Sequence, residues 1–199
     1  MADNGVFLDP DYVRFYDWAA AAHEEHVPFY ARLAQQNDGP VMEVGCGTGR
    51  LSVALGREGF RVVGFDPSRE ALAIARRRLE EEPEPVQRRV SFLEGDIERF
   101  DLGEQFALAL LAHSAVFRLS GRHSLLQCFR VLYEHTRPGG TAVVDAVAPE
   151  QMKSRGIGSE EKVAEGPNPA TGLTTWELQR VTGIAWDTRT LRVEHDFVE

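Results

Sequence analysis

The sequence predicts a doubly wound α/β domain, a mostly parallel sheet with helices on both faces, followed by an antiparallel hairpin. Three observations predict it. Short apolar runs alternate with helical patterns from about residue 24 to 146, as expected for parallel strands joined by helical crossovers. A glycine-rich stretch, Gly45-Cys46-Gly47-Thr48-Gly49, lies between the first apolar run and the helix after it. Beyond residue 149 the chain turns polar, and over 174–182 and 190–198 apolar and polar residues then alternate.

The elements follow in order. A helix is expected over 24–36, with Val27, Tyr30, Leu33 and Ala34 on one face and Asn37-Asp38-Gly39-Pro40 ending it. Strands are expected over 41–44, 61–65, 90–93, 107–111 and 141–146; their near-continuous apolar character suits burial on both faces. Helices fall between them over 50–58, 69–82 and 124–135. The second lines up Leu72, Ala75 and Leu79, and the third Leu125, Phe129 and Leu132. Arg137-Pro138-Gly139-Gly140 reads as a turn before the fifth strand. The polar stretch 151–172, with Gly156, Gly158, Gly166, Pro167 and Pro169, reads as a loop. Segments 174–182 and 190–198 then form a hairpin through a turn at 187–190. The organisation expected is a helical cap over 1–39, a core over 40–149 and a loop-and-hairpin extension over 150–199.

Composition narrows the function classes. With 199 residues, 43% apolar and 27% charged, the chain has the profile of one soluble globular domain. No apolar run approaches the ~20 residues that span a bilayer, and the N-terminus lacks a secretory pattern, so a cytoplasmic protein without membrane partners is expected. A formal charge of −9 disfavours nucleic acid. Arg76-Arg77-Arg78 is followed by Glu80-Glu81-Glu82, which reads as a solvated helix face with pairs such as Arg76 with Glu80. Cys46 and Cys128 have no metal-ligand spacing and are expected to be reduced thiols.

The candidate site starts from the glycines. Without a Cβ, glycine lets backbone approach a ligand closely. A dinucleotide site needs G-x-G-x-x-G, but here the third glycine, Gly49, comes one residue early and Arg50 takes its place. Asp66 ends the second strand, where it suits a helix cap shared with Ser68. Gly95-Asp96-Ile97 follows the third strand, either as a ligand-facing element or as a simple turn.

The run Glu43-Val44-Gly45-Cys46-Gly47-Thr48-Gly49 is similar to motif I of class I S-adenosylmethionine-dependent methyltransferases, and with the strand-end residues the resemblance covers roughly residues 12–149. It implies a Rossmann-like core and S-adenosylmethionine as cofactor. It places Glu43, Gly45, Cys46, Gly47 and Gly49 beside the cofactor's amino-acid and ribose portions, and Asp66 with Pro67 at the ribose hydroxyls. Asp96 and the Ile97 amide would meet the adenine, and Ala112 would offer backbone contacts. In the same segment His113 is a candidate general base, or a structural histidine. Tyr16, with Asp17, would cover the methionine end, or pack as part of an N-terminal helix. The Arg137-Pro138-Gly139-Gly140 turn matches the family's turn before strand five, while its Asn-Pro-Pro-Tyr signature for DNA adenine or protein glutamine is absent.

The expected activity is therefore metal-free methyl transfer to oxygen or nitrogen of a small molecule. The alternatives are a cofactor-binding protein without turnover and, less favoured by the glycine spacing, a nicotinamide-dependent oxidoreductase. The family's last helix and strands would follow the hairpin and do not occur in this sequence. The fifth strand or the hairpin is thus expected to offer an edge for self-association.

Overall fold

The apolar runs build the sheet they predict: β1 (Val41–Val44), β2 (Val62–Asp66), β3 (Val90–Glu94), β4 (Phe106–Leu111) and β5 (Thr136–Val144), all parallel, in the order β3-β2-β1-β4-β5. The computed structural model describes residues 10–20, 26–97, 100–119, 121–147, 156–167, 171–185 and 190–198. These divide into two units, one drawn from Met1–Val13 and Glu24–Ala146, the other from Arg14–His23 and Val147–Glu199.

In the first unit every residue of β1, β2 and β4 is buried, because helices cover both faces. Alternate side chains point to opposite cores. Val41, Val62, Leu108 and Leu110 pack with Tyr30 and Ala34 of α2 (Val27–Asn37), Leu51 and Leu55 of α3 (Arg50–Arg57), and Leu72 of α4 (Arg69–Glu80). Met42, Val44, Val63, Phe65 and Leu111 face the other way, toward Cys128, Val131 and Leu132 of α6 (Gly121–His135). The helix α1 (Pro10–Ala20) contributes residues to both units, and α5 (Glu84–Gln87) is a single turn before β3. Strand order reverses between β1 and β4, which opens a crevice beyond their carboxyl ends.

Three local expectations are corrected. Residues 137–140 do not precede the fifth strand but bulge within it: a two-residue step on β4, Phe106 to Leu108, faces a five-residue step on β5, Thr136 to Thr141. Arg137 turns this bulge to use by donating to the Asn37 and Asp38 carbonyls at the end of α2, at 2.7 and 3.2 Å. Arg76 does not pair with Glu80; it donates to the Phe92 carbonyl at 3.3 Å, and Arg78 donates to the Thr48 carbonyl.

The third correction lies in the second unit. Its sheet has three antiparallel strands, β6 (Glu160–Pro167), β7 (Thr174–Ala185) and β8 (Thr190–Val198), in that order. The predicted hairpin is present as β7 and β8, while β6 arises from the stretch read as loop. Four of its eight residues are Glu or Lys and no apolar alternation announces it. Backbone pairing with β7 and cross-strand charge order it instead, with Arg180 Nη2 2.7 Å from Glu160 Oε2. Residues 186–189, most of the predicted turn, lie outside the described residues. Among the described residues no helix is long and apolar enough to cross a membrane, and no three His, Cys, Asp or Glu side chains are grouped to hold a metal.

The contact of α3 with β3 gives a test. A Cβ at Gly56 would lie 2.4 Å from Val90 Cγ2, and a β-branched side chain in a strand has little freedom to swing aside. Helix propensity alone favours Gly56→Ala by about 1 kcal/mol, against an overpacking cost of roughly 1–3 kcal/mol. A net destabilisation of up to roughly 2 kcal/mol is expected in denaturant titration, and a raised midpoint would show that the helix simply shifts.

Candidate active site

The glycine-rich turn begins where β1 ends. The Gly45 and Cys46 amides donate to the Phe65 carbonyl of β2 at 2.8 and 3.0 Å, and the Gly49 amide closes the turn onto the Cys46 carbonyl at 2.9 Å. Gly47 and Gly49 have φ of +54° and +74°, which non-glycine residues rarely adopt. Their surroundings differ. A Cβ at Gly49 would meet Phe92 at 2.5 Å and Ala75 at 2.8 Å, so this glycine brings α3 down onto its neighbours. A Cβ at Gly47 would meet nothing within 4 Å, so the turn here borders open space.

Asp66, at the end of β2, holds this turn. Its Oδ2 accepts from the Gly47 amide at 2.9 Å and its Oδ1 from the Ser68 amide at 2.9 Å. Capping of α4 falls to Ser68, whose Oγ accepts from the Ala71 amide at 3.2 Å. Burial pushes the Asp66 carboxyl above its usual range, opposed by the two amide bonds and by the positive charge of Arg118.

Glu43, within β1, is 3% exposed and receives a 2.5 Å hydrogen bond from Ser52 Oγ. Burial pushes its carboxyl up to about 7, against the Ser52 bond and the Arg50 charge, with Asp66 adding to the rise. The Cys46 thiol is buried and pushed up by burial and by the same two carboxylates, so it stays a thiol. Pro67 follows Asp66 between β2 and the cap.

β3 ends beside β2, with Glu94 in register with Asp66 and the Gly95 amide 3.2 Å from the Asp66 carbonyl. Asp96 is exposed there, while Ile97 packs against the second core. Beyond β4, Ala112 is buried, and His113 and Ser114 take successive left-handed conformations with φ of 54° and 56°. The His113 ring stands edge-on to those of Tyr30 and His26, with centroids 5.8 and 6.2 Å away. It is pushed down to about 4, chiefly by burial and then by Arg50, with Asp145 opposing, and is therefore neutral at pH 7.

The first unit thus gathers Glu43, Gly45, Cys46, Gly47, Gly49, Asp66, Asp96, Ala112 and His113 at the carboxyl ends of β1 to β4. Tyr16, half-buried, falls in the part of α1 that belongs to the second unit. Two residues not picked out as site residues join the first unit's cluster. The Asp145 carboxylate, just past β5, accepts from the His113 amide at 2.8 Å, from the Ser114 amide and from the Tyr30 hydroxyl. An acid at a strand's carboxyl end was one available signal. The other was a tyrosine on a core-facing helix side, whose hydroxyl needs a partner once buried.

A doubly wound sheet with a glycine-rich turn at its switch point and acids at the neighbouring strand ends defines a Rossmann-like α/β protein with its candidate site at that switch point. The chain belongs to the methyltransferase domain family, whose model matches residues 41–140, in agreement with the resemblance read from the motifs. It is 30% identical over 160 residues to cypemycin N-terminal methyltransferase of Streptomyces sp, covering 78% of this chain and 62% of that protein. It is also 30% identical over 155 residues to dTDP-4-amino-2,3,4,6-tetradeoxy-D-glucose N,N-dimethyltransferase of Saccharopolyspora spinosa, covering 73% and 58%. The chain therefore spans less than two thirds of either relative's length. Among solved structures it is similar to SAM-bound CalS10, an amino pentose methyltransferase from Micromonospora echinaspora, with a TM-score of 0.66, 23% identity, and 92% and 80% coverage. At that identity the likeness is one of fold.

Glu43 carries a pH prediction. Its folded value near 7 exceeds the ordinary 4.5, so between these values the folded state keeps a proton that the unfolded chain has released. Stability from this group therefore falls as pH rises through that window. Glu43→Gln removes the effect, and its stability relative to the parent should rise by on the order of 2 kcal/mol from about pH 5 to about pH 7.5. Urea unfolding of both proteins at the two values measures it; a pH-independent difference would contradict a protonated Glu43.

Proposed function

We propose that the chain is the S-adenosylmethionine-binding part of a methyltransferase that acts on nitrogen or oxygen of a small-molecule acceptor. The observation that carries this reading is the open backbone at Gly47, held in a left-handed turn by Asp66 inside a methyltransferase-family domain. The residues fit such a cofactor. Gly45, Cys46, Gly47 and Gly49 present backbone to its amino-acid and ribose portions, and Glu43 organises the amino-group end. Asp66, which has spare lone pairs beyond its two amide bonds, receives the ribose hydroxyls beside Pro67. Asp96, exposed at the end of β3, meets the adenine amino group, with the Ile97 amide at the ring. Ala112 lines the methyl side.

When bound, the cofactor supplies a methyl group already activated by its sulfonium. The chain then has to align the acceptor in line with the methyl–sulfur bond and exclude water. In this reading His113, neutral at pH 7, accepts the proton that the acceptor loses. The two relatives named above are an N-terminal methyltransferase and an N,N-dimethyltransferase, and O-methyltransferases match at similar identity, so the reading keeps both nitrogen and oxygen. The charge of −9 supports a small acceptor over a nucleic acid. The early third glycine and the acid after β3 speak against a nicotinamide cofactor.

Calorimetric titration tests the reading. S-adenosylhomocysteine should bind and NAD should not. Asp66→Ala should weaken the binding at least about tenfold, as hydrogen bonds to a charged group contribute roughly 1.5–3 kcal/mol. No binding of S-adenosylhomocysteine to the parent chain would overturn the assignment, and binding without methyl transfer to any amine or hydroxyl acceptor would leave a cofactor-binding protein.

A further inference from the structure

We propose that Asp145 is a positioning residue for the methyl-transfer crevice, its carboxylate fixing the left-handed His113–Ser114 turn and fastening it to α2 through Tyr30. The inference rests on the reading of His113 as a residue that faces the acceptor.

The carboxylate starts from a fixed point. The Asp145 amide donates to the Leu111 carbonyl at 3.2 Å, extending the β4–β5 ladder one bond past β5. From there the side chain reaches back over the end of β4. Its Oδ2 accepts from the His113 amide at 2.8 Å and from the Tyr30 hydroxyl, and its Oδ1 accepts from the Ser114 amide. Two consecutive non-glycine residues at positive φ each cost roughly 1–2 kcal/mol. That conformation turns two neighbouring amides toward one place, a concavity suited to an anion. Here the anion is supplied by the chain, and charge-assisted bonds offset the strain.

The consequence for chemistry lies in the ring that leaves the same turn. His113 packs edge-on against Tyr30 and His26, so the turn's backbone sets where its imidazole stands. Arg50 from the start of α3, His26 ahead of α2 and Arg118 after β4 all disfavour a charged imidazole, and Asp145 alone among these groups favours it. Tyr30 links the third element, and burial together with Asp145 raises its hydroxyl far above the usual tyrosine range, so it remains a donor. One carboxylate thus joins α2, the loop after β4 and the end of β5.

The test uses the imidazole as its reporter. In the full chain, with His113→Gln to assign the signal, His113 is titrated by NMR without ligand in the parent and in Asp145→Asn. A carboxamide has one acceptor oxygen for two amides and a hydroxyl, so the turn should relax and admit water to the ring. The His113 titration should then move up toward 6.5, by about one pH unit or more. Loss of the Asp145 charge alone would move it down, so an unchanged or lowered titration in a folded variant overturns the proposal. Amide hydrogen exchange of the parent gives a measurement that needs no variant. The His113 and Ser114 amides should exchange at least about a hundredfold slower than unstructured amides, and rapid exchange of both would also overturn it. Neither readout uses the cofactor, so failure here is distinct from failure to bind S-adenosylhomocysteine.

Discussion

The crevice depends on irregular backbone keeping one shape. Between β1 and α3 the chain must turn through left-handed conformations, expose its amides beside a ligand, and still not collapse into the sheet. The bond from the Gly47 amide to Asp66 resolves this at the most open point of the turn. Because Asp66 also takes the Ser68 amide, one side chain fixes both the turn after β1 and the chain leaving β2. Tight packing does the rest at Gly49, whose missing Cβ lets Phe92 and Ala75 close beneath the turn. Flexibility of glycine is thus used where the ligand side is open and cancelled where the core begins.

The electrostatics of the same region follow from that arrangement. Burial pushes both the Glu43 and Asp66 carboxyls up, and the Asp66 charge adds to the cost of ionising Glu43. Ser52, the turn amides, Arg50 and Arg118 recover part of that cost. A sulfonium-bearing ligand with an amino group brings positive charge to a region of buried acids, whereas a pyrophosphate would bring more negative charge. The charge pattern therefore agrees with the glycine spacing in favouring the proposed cofactor over a dinucleotide.

Much of this was legible in the sequence, for a physical reason. Parallel strands covered on both faces read as apolar runs, and β1, β2 and β4 are buried at every position. The glycine turn and the acids at 66 and 96 were legible because spacing alone puts them at strand ends. What stayed hidden depends on partners distant in sequence. β6 lacks an apolar alternation and exists through pairing with β7. The bulge at 137–140 looks like a turn until β4 is laid beside it. Arg76 and Arg78 look solvated, yet they reach the carbonyls of Phe92 and Thr48. Tyr30 and Asp145 are 115 residues apart, and each reads as an ordinary core-facing helix residue or strand end when taken alone.

Asp66 and Asp145 solve the same problem on opposite sides of the crevice. Its inner strands, β1 and β4, are adjacent in the sheet, and each inner strand has one outer neighbour, β2 or β5. Each outer strand ends in an acid whose carboxylate binds backbone amides of the loop after the adjacent inner strand: Gly47 for Asp66, His113 and Ser114 for Asp145. In both loops the bonded residues hold positive φ, so the carboxylates brace the conformations least able to persist unaided. The two sides differ in what braces the loop further. After β1 the chain uses glycines, whose left-handed backbone is almost free of strain, and Asp66 needs to add little. After β4 it uses a histidine and a serine, and the strain is met by a third donor, Tyr30, on the same carboxylate. A glycine at 113 would relieve that strain but would forfeit the imidazole, so the extra bracing is found on the side that carries the candidate base.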